Sequence, residues 1–243
     1  MFPEICSIGP FTVYSYGAAL VAAFAIAVNL AMRQAKQEGI APELIFNFSF
    51  LVFICGIIGA RIFYILMNLN LFLADPLEMI MLQHGGLAWF GGFIAGSASG
   101  LIYLKVKKLN IFKILDLLVP FLALAQSIGR IGCLLNGCCY GRHSQFGIYF
   151  PVHDAVLIPT QAYSSLLLLV IFVILRFLQA KPHSQGAVFF AYLFLYGIKR
   201  FAIEFFRDDS SRIFYGLTNF QILSLAVFFI GLVGLFLTAK KKS

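Results

Sequence analysis

Seven stretches of this chain stay apolar for about the length that a helix needs to cross a bilayer, roughly 20 residues. They run Phe11–Met32, Leu44–Met67, Gly86–Leu104, Ile111–Ile131, Thr160–Leu178, Ala187–Phe206 and Leu217–Thr238. A chain built this way has few folds open to it, because in lipid every backbone polar group must be satisfied internally. The expected architecture is all-α and polytopic, with seven transmembrane helices and residues 1–243 forming a single integral membrane domain. Composition agrees. Of 243 residues, 61% are hydrophobic and 12% charged, where a soluble chain carries about 25% charged. The start, MFPEICSIGP, has an acid and no base, so it does not read as a removable signal peptide.

The net charge of +8 does not point to nucleic acid, because the basic residues are scattered between apolar spans. It points to orientation. Arg33, Lys36, Lys105, Lys107, Lys108, Lys113, Arg176, Lys181, Lys240, Lys241 and Lys242 fall on one side of the seven spans. Only Arg130, Arg142, Arg207 and Arg212 fall on the other. The positive-inside rule then puts the C-terminus in the cytoplasm and the N-terminus outside. Ser127–Arg142, Arg207–Gly216 and Asn68–Gly85 are thereby expected on the outer face.

That face should be poor in bases, yet arginines stand there at helix ends and beside glycines. The segment SIGRIGCLLNGCCYGR, Ser127 to Arg142, combines Arg130 and Asn136 with Cys133, Cys138 and Cys139. In YGIKRFAIEFFR, the spacings of Tyr196, Arg200, Glu204 and Arg207 place all four on one helical stripe. A charge inside a membrane costs at least about 2.5–3.5 kcal/mol, so it is normally paired or faces a cavity. Arg200 and Glu204 read either as a self-satisfied pair or as an anion-holding arginine fixed by its carboxylate. Lys199 falls off the stripe. In HGGLAWFGGFIAG, Gly92, Gly96 and Gly100 recur every four residues, which permits close helix contact; an unwound entry would also bring His84 near a ligand. The spacing C-x4-C-C lacks the second ligand pair of a usual zinc site, and small residues packing a tight turn are the plainer reading. Tyr14 and Tyr16 open the first span, and Ile158-Pro-Thr-Gln161 with Tyr163 opens the fifth.

Taken together, GRIGCLLNGCCYG, HGGLAWFGGFIAG, IPTQAY and YGIKRFAIEFFR resemble the prolipoprotein diacylglyceryl transferases in order and spacing, over nearly the whole chain. The first of these is the most specific. The resemblance implies transfer of the diacylglyceryl group of phosphatidylglycerol to the lipobox cysteine thiol of a prolipoprotein, releasing glycerol phosphate at the outer face of the bacterial inner membrane. It implies Arg130 and Arg200 as essential arginines, Asn136 and Gly141 as signature residues, Tyr16 in the first helix, and Tyr196 and Glu204 in the sixth. It implies neither metal nor organic cofactor. Arginine suits the departing phosphate because its planar fork makes bidentate bonds.

The sequence also departs from the pattern. Phe90 stands where many members have histidine or tyrosine, Ile158 where a histidine often precedes Pro-x-Gln, Ser164 in place of a common glutamate, and Cys138 where some have glutamate. Phenylalanine cannot take a thiol proton. His84 and Glu204 are then the candidate substitutes, with Tyr16 behind them, alongside direct lowering of the thiol pKa by a cationic site. Two other readings stand beside the main one: a diverged relative that lipidates a different acceptor, and a non-catalytic phospholipid-binding or transport protein.

Overall fold

The structure is a computed structural model and describes residues 1–8, 11–81, 85–207, 212–214 and 216–240. Seven long helices appear where seven apolar stretches were read. They are α1 (Ser15–Gln37), α2 (Pro42–Met67), α4 (Trp89–Val106), α5 (Ile111–Asn136), α6 (Thr160–Gln179), α7 (Ala187–Glu204) and α8 (Asn219–Lys240), with a short α3 (Leu69–Ala74) between the second and third. Five of them, α1, α2, α5, α6 and α8, are long and apolar enough to cross a membrane, so the chain is a multi-pass membrane protein.

The all-α expectation needs correction at the ends of the helices. Among the described residues three short antiparallel strand pairs occur: β1 (Glu4–Ile8) with β2 (Phe11–Tyr14), β3 (His143–Phe150) with β4 (Ala155–Leu157), and β5 (Arg212–Phe214) with β6 (Leu217–Thr218). The first predicted span therefore begins late. FTVY is aromatic and β-branched, types that favour a pleated strand over a first helical turn. The third helix also begins after Gly86, because Gly85 and Gly86 take φ of +83° and +81°, a left-handed backbone that stops a helix from starting there. In the other direction, α5 runs past the predicted Ile131 to Asn136. Gly137, at φ +75°, ends it in the position where glycine commonly closes a helix.

The chain divides into two compact units, residues Met1–Ala31 with Phe112–Ser243, and Met32–Ile111. The smaller unit is organised by α2 against α4. An added Cβ at Gly59 would stand 2.7 Å from Gly91 O, and one at Gly91 only 2.3 Å from Gly59 O. The expected contact along Gly92, Gly96 and Gly100 continues this seam, facing Gly56, Val52 and Phe48. Arg61 is buried in the same unit. Its guanidinium donates to the carbonyls of Glu78, Met79, Met81, Gly85 and Gly86, and so closes the loop before α4.

The larger unit has a core of Val119 and Ala123 from α5, Ile171 and Leu175 from α6, and Val188, Ala191 and Tyr192 from α7. Gly197 of α7 lies against the backbone of Phe228, and Gly231 of α8 against that of Phe194, so these two helices touch nearly backbone to backbone. Asp116 of α5 accepts from the amides of Gly186 (2.6 Å) and Phe189 (2.8 Å), capping the start of α7. A carboxylate there satisfies orphan amides and meets the positive end of the helix dipole. At the opposite end of α5 lies the segment that carries the chemistry.

Candidate functional site

The last turn of α5 and the first turn of α1 cross at Gly132, where an added Cβ would lie 2.6 Å from the Ala19 side chain and 3.6 Å from Tyr16 Cα. That close approach sets Tyr16 in electrostatic reach of Arg130, Cys133, Cys138 and Cys139. Beyond Gly137 the chain turns through Cys139, which takes φ +61°. This turn is pinned from α6: Thr160 Oγ1 donates to Cys139 O at 2.7 Å and Gln161 Nε2 to Cys138 O at 2.6 Å. The polar start of the IPTQ helix thus holds the GCCYG loop.

Gly141 is where three segments meet. Its amide donates to Ile158 O at 2.9 Å, and it pairs in a β-bridge with Arg207 at the exit of α7. Arg142 N donates to Phe206 O at 2.9 Å. A Cβ at Gly141 would meet Phe206 O at 2.5 Å and the Thr160 methyl at 2.8 Å. Only a residue without a side chain lets the loop after α5 stitch itself to the end of α7, and this stitch brings Arg130 toward Arg200.

On α7, Arg200 Nη2 lies 3.0 Å from Glu204 Oε2. The oxygen is buried and outside hydrogen-bond alignment, so the contact is an ion pair. Arg200 also sits over the Phe220 ring, 4.6 Å from its centroid. Lys199, 5% exposed, turns the other way. Its Nζ donates to Ser164 Oγ on α6 at 3.1 Å and lies 4.6 Å from the centre of the Tyr196 ring. Arg130, Lys199, Arg200 and Arg207 act on one another electrostatically, with Glu204 the carboxylate paired to Arg200. Among the described residues, positive charge therefore exceeds negative in this partly buried region. Such a region is suited to an anion, because like charges held together gain most from a shared counter-charge.

The model for the family described as prolipoprotein diacylglyceryl transferase matches residues 3–237. A phosphatidylglycerol--prolipoprotein diacylglyceryl transferase of Clostridium tetani is 33% identical over 239 residues, covering 96% of each chain. One of Streptococcus pyogenes serotype M5 is 34% identical over 241 residues, covering 95% of this chain and 93% of its own. The chain belongs to the prolipoprotein diacylglyceryl transferase family. It is a transferase.

Of the residues singled out in the sequence, the structure of this diacylglyceryl transferase relative gathers Tyr16, Arg130, Tyr196, Arg200 and Glu204 through the contacts above, with Gly141 in the stitch between them. Asn136 ends α5, with its side chain in electrostatic reach of Cys138. His84 lies outside the described residues. Phe90, in the other unit, is half exposed and packs edge-on against Trp89.

Two features escaped the sequence reading. Lys199, off the stripe and so a weaker candidate by sequence, is buried beside Ser164 and faces the same cations. The signal was present, since an uncompensated lysine within an apolar run is expensive wherever it points. The cysteines were read as packing, yet the Sγ atoms of Cys133, Cys138 and Cys139 all lie within 4.8 Å of one another. Their spacing could not show this, because the left-handed turn at Cys139 is a property of the folded loop.

Proposed function

We propose that this protein transfers the diacylglyceryl group of phosphatidylglycerol to the lipobox cysteine thiol of prolipoproteins, with glycerol phosphate as the leaving group. The observation that carries the reading is the convergence of Arg130 from α5 with Lys199 and Arg200 from α7. A phosphate that departs as sulfur attacks the adjoining glyceryl carbon develops negative charge, and preorganised donors that meet it lower the barrier. Arg130 and Arg200 grip the phosphate, Glu204 holds Arg200 in place, and Tyr196 with Asn136 borders the headgroup. The names and the extent of the curated relatives support the same substrates.

The site belongs to the outer leaflet in this reading. Seven helices with the C-terminus in the cytoplasm put the end of α5, the end of α7 and the start of α1 on the same, periplasmic side. The whole chain then works as one integral membrane domain. A diverged acceptor is the second reading, favoured by Phe90 at a sequence position where many members of the family carry histidine or tyrosine.

Transfer of labelled diacylglycerol from phosphatidylglycerol to a lipobox peptide tests the proposal, with glycerol phosphate measured alongside. Arg130→Ala and Arg200→Ala are each expected to lower turnover by about 10²–10³-fold, the cost of one lost transition-state donor. Near-normal transfer in both would refute the assignment. Transfer to other acceptors with no modification of lipobox peptides would favour the diverged reading.

A further inference from the structure

Three sulfur atoms converge where the proposed transferase must make a thiolate, and we infer that Cys133, Cys138 and Cys139 form a zinc site whose open fourth position takes the substrate thiol. The inference rests on the transferase reading above. Its starting point is geometric. The three Sγ atoms lie within 4.8 Å of one another. Zinc–sulfur bonds of about 2.3 Å in a tetrahedron set neighbouring sulfurs about 3.8 Å apart, so closure around an ion needs only small movements. All three are free thiols, with Cys133 buried and the other two partly open.

The cluster is built rather than incidental. Cys138 N donates to Cys133 O at 3.1 Å, folding the loop back onto the last turn of α5. Thr160 and Gln161 hold the carbonyls of Cys139 and Cys138. Gln161 is fully buried, and its Oε1 has no hydrogen-bond partner among the described residues. Its carboxamide is fixed next to the loop by the Nε2 bond to Cys138 O, at 2.6 Å.

Chemistry selects the metal and its role. Soft thiolates select zinc or cuprous ion over hard cations, and three protein ligands with a vacant fourth position are the pattern of catalytic zinc rather than structural zinc. A thiol that coordinates such an ion is deprotonated outright. Three thiolates around a divalent ion leave net negative charge, which a fourth sulfur increases. Arg130 acts electrostatically on Cys133 and Cys139, and Arg207 on Cys139, so the charge has cations to face.

The lipobox thiol would bind as the fourth ligand and give up its proton. Its sulfur forms the new C–S bond as the glyceryl carbon's C–O bond to phosphate breaks. The electron pair leaves on the phosphate oxygen, and glycerol phosphate takes up the displaced proton. No oxidant or reductant is involved, and no side-chain base is required of Phe90.

The test uses the full chain in detergent or nanodiscs, purified without chelator. About one zinc per chain is expected by elemental mass spectrometry, with at least tenfold less in Cys133→Ser, Cys138→Ser and Cys139→Ser; thermal melting checks that each variant is folded. Replacing zinc by Co²⁺ should give sulfur-to-cobalt charge-transfer absorption. That absorption should grow when a lipobox peptide is added and stay unchanged with its Cys→Ser counterpart. A mass two units low, reporting a disulfide among the three cysteines, overturns the inference, as does zinc-free protein or a cobalt spectrum blind to the thiol. Full transfer by metal-stripped protein overturns it too while leaving the transferase reading intact. A thiol-responsive metal site without any transfer from phosphatidylglycerol instead overturns the transferase reading and, with it, the role given to the bound thiol.

Discussion

Arg200 Nη2 stands 3.0 Å from Glu204 Oε2, and the other oxygen of the same carboxylate accepts from Thr218 Oγ1 at 3.0 Å. Glu204 is therefore held from two sides, by a helix turn below it and by the strand residue that precedes α8. Thr218 Oγ1 in turn accepts from the Gln221 amide, and Gln221 Oε1 from the Thr218 amide, so the carboxylate is anchored in a capping arrangement. The guanidinium has its geometry set before any substrate arrives.

Glu204→Gln should separate positioning from charge. The amide keeps the acceptor for Thr218 but leaves Arg200 without its counter-charge, and removing one partner of a buried pair costs about 3–5 kcal/mol. Melting temperature should fall, and transfer with it. Arg200→Lys keeps the charge but loses the fork, and it should leave most of the activity lost. If Arg200→Lys is as active as the parent, the phosphate is not gripped by a bidentate guanidinium.

Lys199→Met makes a sharper distinction. Methionine fills the buried space without adding a cation among Arg130, Arg200 and Arg207. If Lys199 serves the anion, the variant should melt higher in the absence of lipid, because like-charge repulsion is relieved, while its KM for phosphatidylglycerol rises several-fold. A purely structural lysine would show the reverse, a lower melting temperature from the lost Ser164 bond and an unchanged KM.

The fold was legible in the sequence to the extent that bilayer thickness dictates it. Seven apolar runs became seven long helices, five of them long and apolar enough to cross a membrane, because a helix satisfies its own backbone hydrogen bonds within one segment. What escaped was local. FTVY became a strand because its own shape competes with helix initiation, and α5 gained a turn because GCLLN continues an apolar helical face up to Gly137. Within the site, the i, i+4 spacing of Arg200 and Glu204 was enough to foresee their pairing, since helix geometry alone brings them together. The sulfur cluster was not foreseeable, because a two-residue turn and the hydrogen bonds of Thr160 and Gln161 create it. Gly141 shows the same limit: its motif was plain, whereas its packing against Phe206 and Thr160 is a tertiary fact.

Gly91→Leu tests how far the smaller unit depends on backbone contact. Gly59 and Gly91 approach so closely that even one Cβ at Gly91 would stand 2.3 Å from Gly59 O and equally close to the Phe63 Cβ. Neither neighbour is the far end of a flexible side chain, so the helices must separate. Overpacking of this kind costs about 1–3 kcal/mol for modest additions, and leucine is a large one. Loss of the folded species in detergent is expected, with Gly91→Ala intermediate. A Gly91→Leu protein with the parent's melting temperature would mean that α2 and α4 do not meet along this seam.

Asp116→Ala should weaken the larger unit from its other end. The carboxylate accepts from the amides of Gly186 and Phe189, and His183 Nε2 lies 3.9 Å from it. Removing it strands two amides at the start of α7, a loss of about 1–3 kcal/mol for each buried group left without a partner. Asp116→Asn retains an acceptor for one amide and should fall between the two. Because Asp116 sits at the opposite end of α5 from Arg130, the KM for phosphatidylglycerol of the folded fraction should stay at the parent value while the melting temperature drops. A raised KM in Asp116→Ala would show that α7 shifts along its length when its cap is lost, carrying Arg200 with it.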